Sequence, residues 1–425
     1  MGSKMAEILE IEITSLGAQG DGVGAADGVP VFVPSSMPGD VVSAEVKDKR
    51  RNGLYTELLE VVTPSLDRQN PVCQHFGTCG GCQLQFMNEA VYRSWVSERA
   101  SMALAHHGFT DVPVLEPAIS PAASRRRVAL KALKTVSGVV LGFNERQSHK
   151  VVNVKACPVT RAELTALFDP LRQLLGATLA QAMAANVHMT LTASGIDMMI
   201  DAPMALDLAA RERLVEFVNE HDIASLHWQE QGFLDPVAIR REPVMDFAGT
   251  RVPLPPASFI QATAEGGAAL VGAVVIACVG YGRVADLFSG IGTFTFPLAR
   301  EHQVMAAEGA KTALDALKAG VATATGLRQV ITRHRDLFRQ PISAAELEKI
   351  DAVVFDPPRA GAAAQVAEIA KSSVQRVVAV SCNPNTFSRD ARTLVDGGYR
   401  LDSVLPVDQF LWSPHLELVG VFTRV

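Results

Sequence analysis

Residues 283–294 read Arg-Val-Ala-Asp-Leu-Phe-Ser-Gly-Ile-Gly-Thr-Phe, a short apolar run that ends in a polar, glycine-rich loop. This pattern predicts a buried strand that a tight loop joins to a helix. Two later segments repeat it: Ala352–Phe355 leads into Asp356-Pro357-Pro358, and Val378–Val380 leads into Ser381-Cys382-Asn383-Pro384. Ligands bind at the carboxyl ends of the strands in an open α/β sheet. We therefore expect three strand ends to converge on one crevice.

The remaining pattern divides the chain into three parts. Beyond residue 250 short apolar runs alternate with helical patterns, which predicts βαβ units and a parallel sheet. Residues 6–62 contain short strand-like runs between glycine-rich turns, which is typical of a small β-barrel. We predict a multidomain α/β protein with an OB-like β-barrel (6–62), a central mixed α+β domain (65–250) and a Rossmann-like C-terminal domain (251–425).

Composition indicates a folded protein with 48% apolar and 20% charged residues among 425. No apolar stretch approaches the roughly 20 residues that a membrane span needs, and the N-terminus has no basic-then-apolar signal pattern. We therefore expect a cytoplasmic protein without membrane association, and we expect a monomer.

Basic residues are concentrated in one region although the net charge is −6. Between Ser120 and Pro158 eight Lys and Arg accompany a single Glu, and a second cluster spans Lys47–Arg51. Local basic patches suit phosphate contact, and solvated strand faces are the alternative interpretation. The candidate phosphate contacts are Arg125, Arg126, Arg127 and Lys131.

Four of the six cysteines have the spacing of a metal site. Cys73, Cys79 and Cys82 form Cys-x5-Cys-x2-Cys among several glycines, and Cys157 precedes a proline far downstream. A structural disulfide set is not expected in the cytoplasm. An iron-sulfur cluster is the favoured reading, with zinc and unligated or redox thiols as alternatives. Cys278 lies in an apolar, helix-like stretch, where we expect a buried filler.

The glycine-rich loop favours S-adenosylmethionine as the cofactor. Gly290 and Gly292 allow close backbone approach, and Glu308 follows 18 residues after Gly290, where a carboxylate can accept the ribose hydroxyls of an adenosine. A dinucleotide fingerprint would need glycine or alanine where Thr295 stands, and a phosphate loop would need Gly-Lys-Ser/Thr. The prolines after Asp356 stiffen a second strand end beside this loop.

Cys382 is the candidate nucleophile of the crevice. A thiol is inert unless its pKa is lowered or a base lies near it. Its position alone therefore leaves catalytic and structural roles open.

These motifs together resemble the RNA (uracil-5)-methyltransferase family, in particular members with an N-terminal TRAM barrel and an iron-sulfur cluster that modify large-subunit ribosomal RNA. The resemblance covers nearly the whole chain. Beyond the barrel and the four cysteines, it is carried by Phe259-Ile260-Gln261, Asp286–Phe294, Glu308, Asp356-Pro357-Pro358-Arg359, Ser381-Cys382-Asn383-Pro384 and His415-Leu416-Glu417.

The resemblance implies roles for individual residues. Cys382 would be the nucleophile and Glu417 the general base. The implied cofactor contacts are Gln261, Phe288, Glu308 and Asp356, and the implied ligands of a 4Fe-4S cluster are Cys73, Cys79, Cys82 and Cys157. The chain departs from the common family pattern at Thr263, Thr293 and Asp336, which leaves contacts at those three positions open.

The expected reaction is methylation of carbon 5 of a uridine in 23S rRNA. Thiolate addition at carbon 6 would activate carbon 5, and a half-buried Glu417 with a raised pKa would then remove the carbon 5 proton. The uridine must be unpaired or flipped out of its stack. The alternatives are methylation of a T-loop uridine in tRNA and a non-catalytic RNA-binding factor of ribosome assembly.

Overall fold

The computed structural model describes residues 7–146 and 148–425, and its first unit is a six-stranded barrel. The strands lie in the order β1-β5-β6-β4-β3-β2 around a small core that includes Ile11, Val31 and Val42. Their bounds are β1 Ile8–Glu12, β2 Ser15–Leu16, β3 Gly22–Ala26, β4 Val29–Val33, β5 Val41–Arg50 and β6 Gly53–Thr63. The sequence pattern indicates only β1, β4, β5 and β6, because β2 has two residues and β3 is short and rich in glycine and alanine. Residue 6, the first of the predicted barrel, lies outside the described residues.

A long helix, α1 (Glu89–Ala105), and a two-residue strand, β7 (Ala118–Ile119), follow the barrel. The Asn88 side chain caps α1 by accepting a hydrogen bond from the Val91 N–H at 2.9 Å. Such a cap satisfies one of the N–H groups that a helix start leaves unpaired.

The central sheet has seven strands in the order β10-β9-β8-β11-β12-β13-β14. All neighbours are antiparallel except β12 and β13. Its own apolar core includes residues of the helices on one face, such as Leu171 and Leu214. The bounds are β8 Arg127–Thr135, β9 Gly138–Asn144, β10 Val151–Asn153, α2 Ala162–Thr165, α3 Phe168–Thr178, β11 Ala184–Thr192, β12 Gly195–Asp201, α4 Leu208–Glu220, β13 Ser225–Glu230 and β14 Phe233–Ile239.

The C-terminal region begins with a hairpin and continues as alternating strands and helices. Its bounds are β15 Val244–Phe247, β16 Thr250–Pro253, α5 Ala264–Ala277, β17 Arg283–Leu287, α6 Thr295–Ala299, β18 Gln303–Glu308, α7 Lys311–Thr323, β19 Val330–His334, β20 Ala352–Phe355, α8 Ala363–Lys371, β21 Arg376–Ser381, α9 Pro384–Asp396, β22 Tyr399–Asp408 and β23 Glu417–Arg424.

Strands β17 to β23 and the earlier β7 form one eight-stranded sheet in the order β19-β18-β17-β20-β21-β23-β22-β7, whereas β15 and β16 form a two-stranded sheet of their own. The first five are mutually parallel, and β23 inserts antiparallel between β21 and β22. The chain runs outward from β17 in one direction through β18 and β19 and then returns to start β20 on the other side. Such a reversal opens a crevice at the carboxyl ends of β17 and β20. The α/β fold predicted for this part is confirmed.

The segment between the barrel and the central sheet packs on the eight-stranded C-terminal sheet. Side chains of α1, among them Tyr92 and Trp95, share one apolar core with residues of β17, α9 and β23. β7 extends the same sheet through Val407 and Ala118. The predicted domain boundaries stay a prediction, but this packing means that the residues before Ser120 support the crevice directly.

A search of the described residues finds no helix with the length and apolar character that a membrane crossing requires.

Candidate active site

The crevice brings together the strand ends singled out from the sequence. β17, β20 and β21 are neighbouring parallel strands, so the loop after β17, Asp356 after β20 and Cys382 after β21 lie at one edge of the sheet. β23 runs antiparallel to β21 with Ser381 opposite Leu418. This register places Glu417, the first residue of β23, opposite Cys382.

The acidic groups of the crevice are buried and influence one another. Glu417 is 4% exposed rather than half-buried as expected from the sequence. Burial and the negative charge of Asp356 raise the pKa of Glu417 to about 8, which the Arg359 guanidinium partly offsets. Burial raises the pKa of Asp356 to about 7. The free protein therefore holds protons in this site near neutral pH.

The thiol of Cys382 is also protonated in the free protein. Burial, with the nearby Glu417 and Asp356 carboxylates, raises its pKa to about 11. Asn383 then caps α9, because its side-chain oxygen accepts from the Asn385 N–H, and its amide nitrogen donates to the Arg359 carbonyl at 3.2 Å. Pro384 occupies the first turn of α9, where its missing N–H costs nothing. Strand end and helix cap together hold Cys382 at the crevice.

The loop after β17 has the backbone geometry of a close-fitting ligand site. Phe288 has a φ of +60°, and Gly290 follows with +55°. The Gly290 N–H donates to Glu308 Oε2 at 2.9 Å, and the Ala310 N–H donates to Oε1 at 2.6 Å. Glu308 is thereby fixed at the end of β18 beside the loop, and its role toward a ribose stays a prediction.

Asp286 is a buried carboxyl with one unpaired oxygen. Thr295 donates its hydroxyl to Asp286 Oδ2 at 2.5 Å, whereas Oδ1 has no hydrogen-bond partner in the described structure. Burial is the main cause that raises the pKa of Asp286 to about 7, and the Asp356 and Glu308 charges add to it. Asp286, Asp356 and Glu308 therefore lie within electrostatic reach of one another.

Gln261 connects the crevice to the segment before α5. Its amide nitrogen donates to Asp356 Oδ2 at 3.4 Å, and its oxygen accepts from the Gln409 amide at 2.7 Å. Thr263 caps α5 by accepting from the Gly266 N–H at 3.1 Å. The family that the chain resembles often has asparagine where this chain has Thr263, and because both residues cap helices, the cap of α5 is kept.

The four cysteines of the predicted cluster line one cavity. Cys73, Cys79, Cys82 and Cys157 face a space of about 340 Å³. Among the residues that the structure describes, no three His, Cys, Asp or Glu side chains are grouped closely enough to hold a single metal ion. A zinc ion binds thiolates at about 2.3 Å, and the described residues show no group of side chains arranged in that way. The four thiols therefore share a cavity without the arrangement of a single-metal site.

Polar groups surround the sulfur atoms of this cavity. The Thr160 hydroxyl donates to Cys157 Sγ at 3.2 Å, and the His75 N–H donates to Cys73 Sγ at 3.4 Å. Burial raises the pKa of Cys82 to about 12, and the other three cysteines add to the shift. Four thiolates here need a positively charged group to be stable.

The thiol cavity and the catalytic crevice share a loop, residues 409–416. Gln409, Phe410 and His415 line the cavity, and Glu417 follows directly. The Trp412 carbonyl accepts hydrogen bonds from the Gln83 and Leu84 N–H groups at 2.7 and 3.1 Å, immediately after Cys82. The cysteine loop (residues 73–84), which carries three of the cysteines, therefore supports the strand that carries Glu417.

The four candidate RNA contacts lie in different surroundings. Arg125 lines the thiol cavity with its guanidinium 5.3 Å from the Phe410 ring. Arg126 donates to the Gln261 carbonyl at 3.1 Å. Arg127 lies over the exposed ring of Phe259 at 5.6 Å, and Lys131 is exposed on β8. The first two thus have contacts inside the protein, and the last two face the surface.

The sequence analysis missed several residues that hold this site. Thr295, the partner of Asp286, was weighed only as a misfit to a dinucleotide fingerprint. Gln409 and the Tyr92–Asp408 pair, joined at 2.6 Å, were not singled out. The sequence signal that could have indicated them is the polar pair Asp408-Gln409, which follows the apolar residues at the end of β22.

Comparison with known proteins settles the family. A model described as tRNA (Uracil-5-)-methyltransferase matches residues 254–425, and a TRAM domain model matches residues 3–59. An uncharacterized RNA methyltransferase of Caulobacter vibrioides is 44% identical, over 98% of this chain and 100% of its own length. The chain belongs to the RNA (uracil-5)-methyltransferase family. It is a SAM-dependent enzyme of that family with an N-terminal TRAM domain, as the motifs predicted.

Two further relatives and one solved structure are similar to nearly the whole length of this methyltransferase. An uncharacterized RNA methyltransferase of Brucella melitensis is 43% identical over 98% of both chains. The 23S rRNA (uracil(1939)-C(5))-methyltransferase RlmD of Aeromonas salmonicida is 32% identical over 98% of this chain and 96% of its own. The crystal structure of Pyrococcus abyssi tRNA (uracil-54, C5)-methyltransferase with S-adenosyl-L-homocysteine covers 98% of this chain and 100% of its own with a TM-score of 0.76, at 22% identity. That likeness shows a common fold.

Proposed function

We propose that this methyltransferase modifies carbon 5 of a uridine in 23S rRNA, with Cys382 as the nucleophile and Glu417 as the base. The observation that carries the proposal is the register of β21 and β23, which places Glu417 opposite Cys382 beside Asp356. A nucleophile and a proton acceptor at the ends of two neighbouring strands can both reach one uracil ring that is bound in the crevice.

The proposed reaction begins at the sulfur of Cys382. The thiol first gives its proton to water, and the Sγ thiolate then bonds to carbon 6 of uracil, while the electrons of the carbon 5–carbon 6 double bond move onto carbon 5 and the carbon 4 oxygen and make carbon 5 nucleophilic. S-adenosylmethionine supplies the methyl group, which carbon 5 takes from a positively charged sulfur. Glu417 then accepts the carbon 5 proton, the double bond re-forms, and Cys382 leaves as its thiolate.

The charges of the crevice suit a cationic methyl donor. Asp286, Asp356, Glu308 and Glu417 surround the crevice, and three of them have a raised pKa. A sulfonium placed among these groups favours their ionised forms. Cofactor binding would therefore convert Glu417 from an acid into the carboxylate that the last step needs, while Gln261, Phe288, Glu308 and Asp356 hold the cofactor.

The thiol cavity suits a 4Fe-4S cluster held by Cys73, Cys79, Cys82 and Cys157. The shared cavity, the hydrogen bonds to sulfur and the mutual influence of the four thiols support a positively charged group held by all four. The uracil chemistry needs no electron transfer, so we assign the cluster a structural role next to residues 409–416. It would hold the cysteine loop against the strand of Glu417.

The choice between 23S rRNA and tRNA as the substrate can be tested directly. The 32% identical relative acts on 23S rRNA, whereas the matching family model and the Pyrococcus abyssi protein are named for tRNA. The higher sequence identity to the 23S rRNA enzyme, 32% against 22% for the tRNA enzyme, favours ribosomal RNA. Mapping 5-methyluridine in both RNAs from cells with and without the gene should show loss of one 23S site, and loss confined to tRNA would overturn the choice.

A non-catalytic RNA-binding role is separated by trapping. A 5-fluorouridine RNA should form a covalent adduct with the protein, because fluorine at carbon 5 cannot leave as a proton and the elimination stops. The Cys382→Ala variant serves as the control and should form none. RNA binding without any adduct by the wild-type protein would favour the binding-factor role.

A further inference from the structure

Gln409 is a buried glutamine that the reaction above does not use. It lies in the loop after β22 and is 2% exposed. Its amide makes one hydrogen bond to the backbone of Thr263 and one to the side chain of Gln261. The nitrogen and oxygen ends of a side-chain amide have similar shapes, so its orientation is fixed by a neighbour that can only donate or only accept a hydrogen bond.

The chain of hydrogen bonds has a direction that the backbone determines. The Thr263 N–H can only donate, and it lies 3.4 Å from one end of the Gln409 amide, which must therefore be the oxygen. The Gln409 nitrogen then faces Gln261 at 2.7 Å, so the oxygen of Gln261 faces Gln409. The nitrogen of Gln261 is left toward Asp356 at 3.4 Å.

We propose that Gln409 is a positioning residue that orients the amide of Gln261, so that its NH₂ group faces Asp356 and the cofactor. Without Gln409 the oxygen of Gln261 loses the donor that fixes it. Burial raises the pKa of Asp356 to about 7, so this carboxyl can either donate to an amide or accept from it near neutral pH and does not fix the orientation of Gln261 by itself. The inference rests on the proposed role of Gln261 as a cofactor contact.

The packing around Gln409 supports a specific position for this side chain. A Cβ atom added to Gly266 would overlap Gln409 Cγ, and it would lie 2.8 Å from Thr263 Oγ1 and 3.0 Å from Gln409 Cδ. Gly266 lies in the first turn of α5, where alanine would otherwise be the better helix former. The absence of a side chain at this position leaves the space that Gln409 fills. The Arg126 guanidinium separately holds the Gln261 carbonyl at 3.1 Å, so backbone and side chain of Gln261 have independent supports.

The test is a double-mutant cycle on binding of S-adenosylhomocysteine, followed by calorimetry. Gln409→Met keeps the length of the side chain and removes both hydrogen bonds, and it should raise the Kd about tenfold, which corresponds to about 1.4 kcal/mol. Gln261→Ala should raise the Kd as well. If Gln409 acts through Gln261, adding Gln409→Met to Gln261→Ala should change the Kd by less than about twofold.

Matched variants separate orientation from folding. Gln365 is also fully buried, bonds both ends of its amide to the backbone of Ile342, and lies outside the crevice. Gln365→Met should lower the Tm and leave the Kd unchanged. Gly266→Ala should weaken binding through Gln409, whereas Gly272→Ala, in the same helix with open space around it, should not.

The outcomes distinguish this inference from the proposed function. Additive losses in the cycle, or a wild-type Kd for Gln409→Met, would overturn the positioning role. A protein that shows the non-additive cycle but methylates neither RNA would support the orientation of Gln261 and overturn the assigned reaction.

Discussion

Glu417 lies beside Asp356 in the crevice, and burial together with the negative charge of Asp356 raises the pKa of Glu417 to about 8. A carboxyl with this pKa can hold a proton or release it near neutral pH with little cost either way. The pair thus links three properties of this enzyme that can be measured: its covalent intermediate, its stability and its preference for a charged cofactor.

Glu417→Gln should stop the reaction after methyl transfer. An amide cannot accept the carbon 5 proton, so the methylated RNA should stay bonded to Cys382. We expect turnover to fall by at least about 10²-fold and a protein–RNA band to persist on denaturing gels. Cys382→Ala should remove the band, and complete release of RNA by the Glu417 variant would contradict its role as the base.

The stability of the cofactor-free protein should respond to pH through Glu417. Because its folded-state pKa is raised, the destabilisation is absent below about pH 4.5, grows as pH rises, and is complete above about pH 8. Glu417→Gln should therefore stabilise the protein by about 2 kcal/mol or more at pH 8.5 and hardly at pH 5. Denaturant unfolding at the two pH values measures this difference, and an equal gain at both would contradict it.

S-adenosylmethionine and S-adenosylhomocysteine should differ in how their binding depends on pH. Asp356 and Glu417, with pKa values raised to about 7 and about 8, ionise between pH 6 and 8.5 and then attract the sulfonium charge. The affinity for S-adenosylmethionine should rise over this range relative to the uncharged-sulfur analogue. Calorimetry at three pH values tests this, and a constant affinity ratio would show that the carboxyls do not sense the sulfonium.

The thiol cavity should hold iron and sulfide. Protein purified without oxygen should be brown, with about four irons per chain by analysis, as expected for a 4Fe-4S cluster. Serine at Cys79 or Cys82 should abolish the colour and lower the Tm. Cys278→Ser is the matched control, because Cys278 is buried at the end of α5 away from the cavity. A colourless protein with stoichiometric zinc would refute the cluster.

Lys131 and Lys47 should differ in their effect on RNA binding. Lys131 is exposed on the central sheet, whereas Lys47 is paired with Glu45 at 2.7 Å and Glu57 at 2.9 Å on the barrel. Lys131→Ala should weaken binding and reduce the salt dependence by about one phosphate contact. Lys47→Ala should have the smaller effect. Equal losses would indicate that the barrel contacts RNA as strongly as the central sheet does.

The amino-acid sequence alone was enough to predict the class of fold and to single out the candidate nucleophile, base and cofactor contacts. The glycine loop of residues 288–292, the Asp356-Pro357-Pro358 turn and the helix cap after Cys382 are local signals, because backbone stereochemistry restricts which residues can end a strand in this way. The register of β21 with β23, the burial of Glu417 and the support that Gln409 gives to Gln261 were decided only by the tertiary structure. Those contacts join residues that are far apart in the chain. Local conformational preferences do not specify which distant strand or which buried amide a side chain will contact.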